Sequence, residues 1–265
     1  MRRIATRPGP WVIAIMVCAT PLAAAAAAGI TFQGAARDLA TGKPLYREMH
    51  FISAPGTARE ARIVHYLCAN SSAVFARKEL EYAASREMPR FTLTDARLGY
   101  VEGLRTLANG RTQVFQVPGS RRSERNALLP AGKSIVADAG FDEFLKRHWA
   151  ELERGQSIKF AFLVPSRLHE VEFKISKLGD TVIEGAPASV IRLNLSGFLG
   201  WFLPYIDATY RKSDRALMRY QGLTNLRDAA GDNLTALIDF PAAERREQAI
   251  DLAALRAVPL VRSCP

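Results

Sequence analysis

Two-residue alternation of apolar and polar positions dominates the chain, and it predicts strands with one buried face. The alternation runs through Tyr46–Ile52 and Arg62–Cys68. It is sharpest in Ile158-Lys159-Phe160-Ala161-Phe162 and in Val171-Glu172-Phe173-Lys174-Ile175. Val114–Val117, Val190–Leu195, Ala216–Tyr220 and Leu234–Phe240 read the same way. Breakers cluster between the runs, at Pro55-Gly56, Asn109-Gly110, Pro118-Gly119, Gly179-Asp180 and Gly231-Asp232-Asn233. Asn109-Gly110 between two apolar runs is a hairpin signal. Many short strands at this spacing predict an antiparallel sheet or partial barrel.

One segment has helical spacing instead. From Asp138 to Arg154, the side chains of Phe141, Phe144, Leu145, Trp149 and Leu152 fall on one face. Asp138 is placed to cap this helix, Asp142 and Glu143 suit its positive first turn, and Gly155 is placed to stop it. A second, weaker helical pattern runs from Ala242 to Arg256. The predicted fold is mainly β (α+β), a curved antiparallel sheet or half-barrel with one central amphipathic helix packed on its concave face. With no internal repeat and no long linker, residues 29–265 are expected to form a single domain.

The first 28 residues do not belong to that pattern. Arg2, Arg3 and Arg7 precede an apolar run from Trp11 that ends in the alanine tract Ala23–Ala28. A basic start, a short apolar core and small residues before a polar chain predict a secretory signal peptide over 1–28, cleaved between Ala26 and Gly29. A retained anchor fits less well, because Pro21 and the alanines weaken the run. Cys18 follows Met16-Val17, which lacks the small residue that lipid attachment needs. Export places the mature domain outside the cytoplasm.

The formal net charge of +10 falls to +7 without the leader, 33 basic against 26 acidic residues, since the leader carries three of the 36 Lys and Arg and no acid. Outside the cytoplasm such a surplus points away from nucleic acid, and toward anionic lipid headgroups, cell-surface polymers or simple solubility. Arg121, Arg122 and Arg125 after Pro118-Gly119 form a candidate headgroup or anionic-surface contact, with an ordinary solvated loop as the alternative. Cys68 and Cys264 remain in the mature chain and are a possible disulfide in an oxidising compartment.

No motif for catalysis, metal or cofactor is present. His50, His65, His148 and His169 have no metal spacing; His169-Glu170 lacks a second histidine, since Phe173 stands there. Gly132-Lys133-Ser134 lacks the first glycine of a phosphate loop and precedes a strand-like Ile135-Val136. Ser196-Gly197 lacks the preceding glycine of a nucleophile elbow.

The most informative segment is Gly197-Phe198-Leu199-Gly200-Trp201-Phe202-Leu203-Pro204-Tyr205. Its breakers argue for a loop, and its apolar residues must then fill the core, cover an apolar cavity, or meet a membrane or partner. Phe198, Leu199, Trp201, Phe202, Leu203 and Tyr205, with Phe141, Leu145 and Trp149 of the helix, are the candidate ligand-binding residues.

Three stretches carry a family resemblance: Tyr46-Arg47-Glu48, Ala76-Arg77-Lys78, and Asp207-Ala208-Thr209-Tyr210 through Arg219-Tyr220-Gln221-Gly222-Leu223-Thr224-Asn225-Leu226-Arg227-Asp228. Over most of the mature chain they resemble a group of uncharacterised exported bacterial proteins whose motifs have no assigned chemistry. The order strands, helix, strands is more distantly similar to the half-barrel superfamily of lipoprotein-localisation factors. That resemblance implies a bacterial periplasm and a hollow that holds acyl chains. The expected function is a periplasmic, non-enzymatic binding protein or carrier for a lipid or other apolar ligand, with possible membrane-surface contact. The alternative is an envelope structural or protein-interaction module with no small ligand. An enzyme would need polar residues from separate strands to converge in one cleft.

Overall fold

The computed structural model describes residues 27–82, 85–119, 122–196 and 205–265. Strands β1 (Ala27–Asp38), β2 (Pro44–Ser53), β3 (Ala61–Cys68), β4 (Val74–Glu81), β5 (Arg90–Asp95), β6 (Tyr100–Thr106), β7 (Thr112–Val117), β8 (Arg125–Leu128) and β9 (Ile135–Val136) come first. Helices α1 (Gly140–Arg147) and α2 (Trp149–Glu153) follow. Then come β10 (Ile158–Val164), β11 (His169–Ile183), β12 (Ala186–Leu195), β13 (Ile206–Arg211), β14 (Leu217–Arg227), β15 (Asn233–Asp239), β16 (Arg246–Ile250) and α3 (Leu252–Ala257).

The protein is mainly β, and its strands form one large open sheet in the order β8-β7-β6-β5-β4-β3-β2-β1-β15-β14-β13-β12-β11-β10-β9. β9 lies parallel to β10, and β16 pairs antiparallel with the start of β1. Hydrogen bonding does not close the ring, yet its ends overlap. On β10, Phe160 and Phe162 face one side and Ala161 and Leu163 the other. Leu163 packs with Phe91, Leu104 and Val114 of β5, β6 and β7. The sheet therefore winds past itself, one end laid against the other.

The helical segment packs against Phe160, Ile175, Ile191, Leu193, Ala208 and Tyr210 through Phe144, Leu145, Trp149 and Leu152. Its other side is tied to the first half of the sheet. Arg62 of β3 bonds Glu60 at 2.7 Å and Glu143 of α1 at 3.2 Å. Arg86 bonds the same two carboxylates at 2.8 and 3.0 Å. Both guanidinium groups lie 4.6 Å from the Tyr82 ring centroid. Burial would raise the Glu60 carboxyl, but Arg62, the Gly56 N–H and Arg86 outweigh it and hold it below its ordinary value. At Gly140 a Cβ would stand 2.1 Å from the Glu87 carbonyl oxygen, so only glycine lets α1 start against that segment.

Several expectations are corrected. The Asp138–Arg154 helix is two helices broken at His148. Asp138 is not its side-chain cap: it has φ +45°, and its carboxylate accepts from Lys78 and Asn225 instead. Gly155, at φ +79°, does end the second helix, its N–H bonding Leu152 O at 2.9 Å. The 242–256 pattern resolves into a short 3-10 turn at Ala242–Glu244, strand β16 and helix α3, capped by the Asp251 side chain. Gly179-Asp180 is no turn but lies at a register shift inside β11; the reversal falls at Glu184 and Gly185, both at positive φ. The strand read at Ala216–Tyr220 is longer than that, β14 running from Leu217 to Arg227.

Candidate functional site

The inner side chains of β10, β11 and β12 leave an apolar strip beside α1. In register, Phe160 opposes Phe173 and Phe173 opposes Leu195. The Phe162 ring meets Phe173 edge-on at 5.7 Å and Phe141 of α1 at 6.4 Å. Phe141, Phe162, Phe173, Leu195 and Ile206 are only half-buried, whereas their neighbours Phe160, Ile175 and Leu193 are buried. The strip runs to the end of β12, where the chain enters residues 197–204.

Phe198, Leu199, Trp201, Phe202 and Leu203, and with them Arg121, lie outside the described residues. The other candidates separate. Phe141 belongs to the strip. Leu145 and Trp149 are spent on helix–sheet packing, at 0% and 8% exposure, with Trp149 edge-on to Tyr210 at 6.3 Å. Tyr205 is exposed and lies on the outer side, 3.6 Å beneath the Arg192 guanidinium, which forms a two-pronged pair with Asp207. Leu145, Trp149 and Tyr205 therefore do not line the strip. Arg122 and Arg125 are exposed, and no described contact joins either to α1 or to Tyr205. Cys68 and Cys264 are joined by a disulfide, Cα atoms 5.5 Å apart.

Sequence reasoning missed a polar cluster inside the roll. Lys78 Nζ donates to both Asp138 oxygens, at 3.1 and 2.8 Å, and Asn225 Nδ2 donates to the same carboxylate at 2.9 Å. The Asp138 side chain is 4% exposed. Burial would lower the Lys78 ammonium, but the Asp138 carboxylate outweighs it and holds it above its ordinary value. Asp138 thus ties Lys78 of β4 to Asn225 of β14, which is itself exposed, and its positive φ is the cost of that reach. Nearby, Tyr100 donates its hydroxyl proton to Glu102 at 2.6 Å. Two of these residues, Lys78 and Asn225, come from the stretches that carry the family resemblance. The available signal was a charged residue at an inner position of an alternating strand, as Lys78 is between Ala76 and Leu80.

Burial pushes the Glu102 carboxyl above its ordinary value, against the Tyr100 hydrogen bond that lowers it. A carboxyl raised in the folded state binds its proton more tightly there. Its contribution is complete below about pH 4, near the unfolded value, and is lost as pH climbs through the folded one. Glu102→Gln keeps an acceptor for Tyr100 without the charge. We expect this variant to be more stable than the parent at pH 7, with the gap narrowing toward pH 4 in denaturant titrations. A gap independent of pH would contradict this assignment.

Among the depressions on the described surface, two are polar-lined in part. One of about 450 Å³ lies among Asp38, Leu39, Asp228 and Leu234, and one of about 300 Å³ includes Tyr100, Gln116 and Arg227. Neither touches the aromatic strip. No group of three or more His, Cys, Asp or Glu among the described residues is arranged to hold a metal ion. No described helix is long and apolar enough to cross a membrane.

No family model matches the chain, and no curated protein does. Among solved structures it is similar to a beta-barrel-like protein of a domain of unknown function, DUF1849, from Brucella abortus. That similarity has a TM-score of 0.47 and 9% identity, and covers 81% of this chain and 98% of the other.

Proposed function

We propose that the chain is an exported, non-enzymatic binding protein for an acyl chain or comparably apolar ligand, working in the periplasm. The observation that carries this reading is the half-open strip of Phe141, Phe162, Phe173, Leu195 and Ile206 leading directly into the apolar 197–204 segment. Half-exposed aromatics that converge from a helix and three strands form a surface that gains by being covered. At about 25 cal/mol per Å², burying even 200 Å² of it is worth about 5 kcal/mol before the costs of ordering. In this reading α1 and α2 occupy the hollow of the rolled sheet, in the manner of the half-barrel carriers. An acyl chain lies along the strip, and the 197–204 segment covers it. The headgroup stays at the mouth of the strip, and Arg121, Arg122 and Arg125 are assigned a separate role, contact with a membrane surface. The Cys68–Cys264 bond supports an oxidising compartment, and the basic leader supports export.

One observation favours the envelope interaction module instead. Elsewhere the interior is occupied by three clusters of buried side chains and the Lys78–Asp138 bridge, which leaves the carrier little room beyond the strip.

Native mass spectrometry of protein recovered from its export compartment separates the two. The carrier reading predicts co-purified lipid on the parent protein and at least tenfold less on Phe173→Asp, with thermal stability compared in parallel. A parent that carries no lipid, and takes up none from mixed vesicles, would overturn it in favour of the module.

A further inference from the structure

The C-terminal segment lies across the outer side of β3 and β4 and is fastened at both ends. Ile250 of β16 pairs with Ala27 of β1, and Cys264 is bonded to Cys68 at the end of β3. Between these anchors the backbone is held by side chains of the sheet. Arg77 of β4 donates to Val258 O at 3.1 Å, and His65 Nε2 lies 3.1 Å from Leu255 O of α3. A carbonyl oxygen only accepts, so Nε2 carries the proton, and the neutral ring keeps its lone pair on Nδ1. The ring meets Phe51 of β2 edge-on at 5.4 Å, and His65 is only 5% exposed. Ala61 and Ile63 share its side of β3, and both are buried.

The charges around His65 leave no partner for an imidazolium. In register it stands between Met49 of β2 and Arg77 of β4. On β4, Glu79 is already shared by Arg77 at 3.0 Å and Arg256 of α3 at 2.7 Å, and Glu81 pairs with Arg90 at 2.8 Å. On β2, Arg47 is turned to Ser71 O at 2.7 Å, and at the start of α3 the Asp251 carboxylate is spent as the cap. Burial pushes the imidazole below its ordinary value; Arg77 adds to this, and the Leu255 carbonyl and Glu79 oppose it without overcoming it. We propose that residues 251–262 form a pH-gated strap, seated while His65 is neutral and lifting between its two anchors when His65 takes up a proton. In the lifted strap His65 is hydrated and titrates near its ordinary value, about 6.5. The lifted form therefore binds the proton more tightly, and the seated form loses ground as pH falls below about 6.5. Lifting uncovers the side of β3 that carries Ile63. The strap shares no residue with the aromatic strip, so each can fail without the other.

The test is amide hydrogen exchange of the full chain with its disulfide intact, from pH 7 to pH 5, expressed as protection factors so that the intrinsic pH dependence of exchange cancels. The reporters are the N–H groups of Leu255, Val258 and Val261, all bonded in the seated strap. Their protection is expected to fall at least threefold between pH 7 and pH 5, while that of β14 and β15 holds. His65→Gln keeps a donor for Leu255 O but does not titrate, and its strap should be equally protected at both pH values. An NMR titration of the His65 ring in the parent protein should share its midpoint with the loss of strap protection, a comparison that stands even where the variant folds poorly. Strap protection independent of pH, a loss shared by the whole sheet, or an equal loss in His65→Gln would overturn the proposal.

Discussion

Lys78→Met is expected to lower stability by about 3–5 kcal/mol, because it strands the buried Asp138 carboxylate with two neutral donors, Asn225 and the Ala139 N–H, and no counter-charge. Lys78 and Asp138 are both almost wholly removed from water, at 12% and 4% side-chain exposure, so solvent cannot take over the lost partner. The penalty belongs to the orphaned charge rather than to the pair. The double variant Lys78→Met with Asp138→Asn should therefore recover a large part of it. Asn suits position 138, since it tolerates the +45° φ there and keeps an amide for local hydrogen bonds. Denaturant unfolding of both single variants and the double variant measures the coupling. Additive losses would mean that Lys78 and Asp138 do not act on each other. The bridge also fixes the segment before α1, so amide exchange in residues 136–141 should speed up in Lys78→Met well before global unfolding.

The second large effect concerns the disulfide. Cys68 and Cys264 are separated by 196 positions, and a cross-link closing so long a loop restricts the unfolded chain by roughly 5 kcal/mol in the chain-entropy account. The folded tail has other anchors. Val261 N–H bonds Val74 O at 2.8 Å, Arg77 donates to Val258 O at 3.1 Å, and Arg256 pairs with Glu79 at 2.7 Å. Paired Cys68→Ser and Cys264→Ser substitutions are therefore expected to leave the tail docked while lowering the melting temperature by about 10–15 °C. Equal melting of the oxidised parent and the double variant would refute this. Early exchange confined to residues 252–265 would place the effect in the folded state instead.

The strand pattern was legible because alternation records which side of a strand is buried. The first half of β11 follows it, whereas β3 buries Ile63, Val64, His65 and Tyr66 in succession and so is covered on both faces. The winding was not legible. β10 is covered on both faces, by the helices on one side and by β5–β7 on the other, and nothing local distinguishes that from an ordinary half-buried strand. Asp138 misled for a related reason. Its place before an amphipathic run reads as a cap, yet a partner 60 positions away, Lys78, competes for its carboxylate and wins. The 242–256 segment has helical spacing, but the open edge of β1 captures Arg246–Ile250 as a strand, since unpaired backbone groups outweigh a weak local preference. In the candidate site, Phe141 was visible as part of a helical face. Phe162 and Phe173 read only as strand interior, because whether an inward side chain is fully covered depends on what lies across from it.

A photoreactive acyl chain cross-linked to the intact protein and mapped by peptide mass spectrometry tests the central claim most directly. Labelling concentrated on Phe141, Phe162 and Phe173 and on residues 197–204, and suppressed by unlabelled fatty acid, is the predicted result. Labelling scattered over outward-facing residues, or unaffected by competitor, would contradict it.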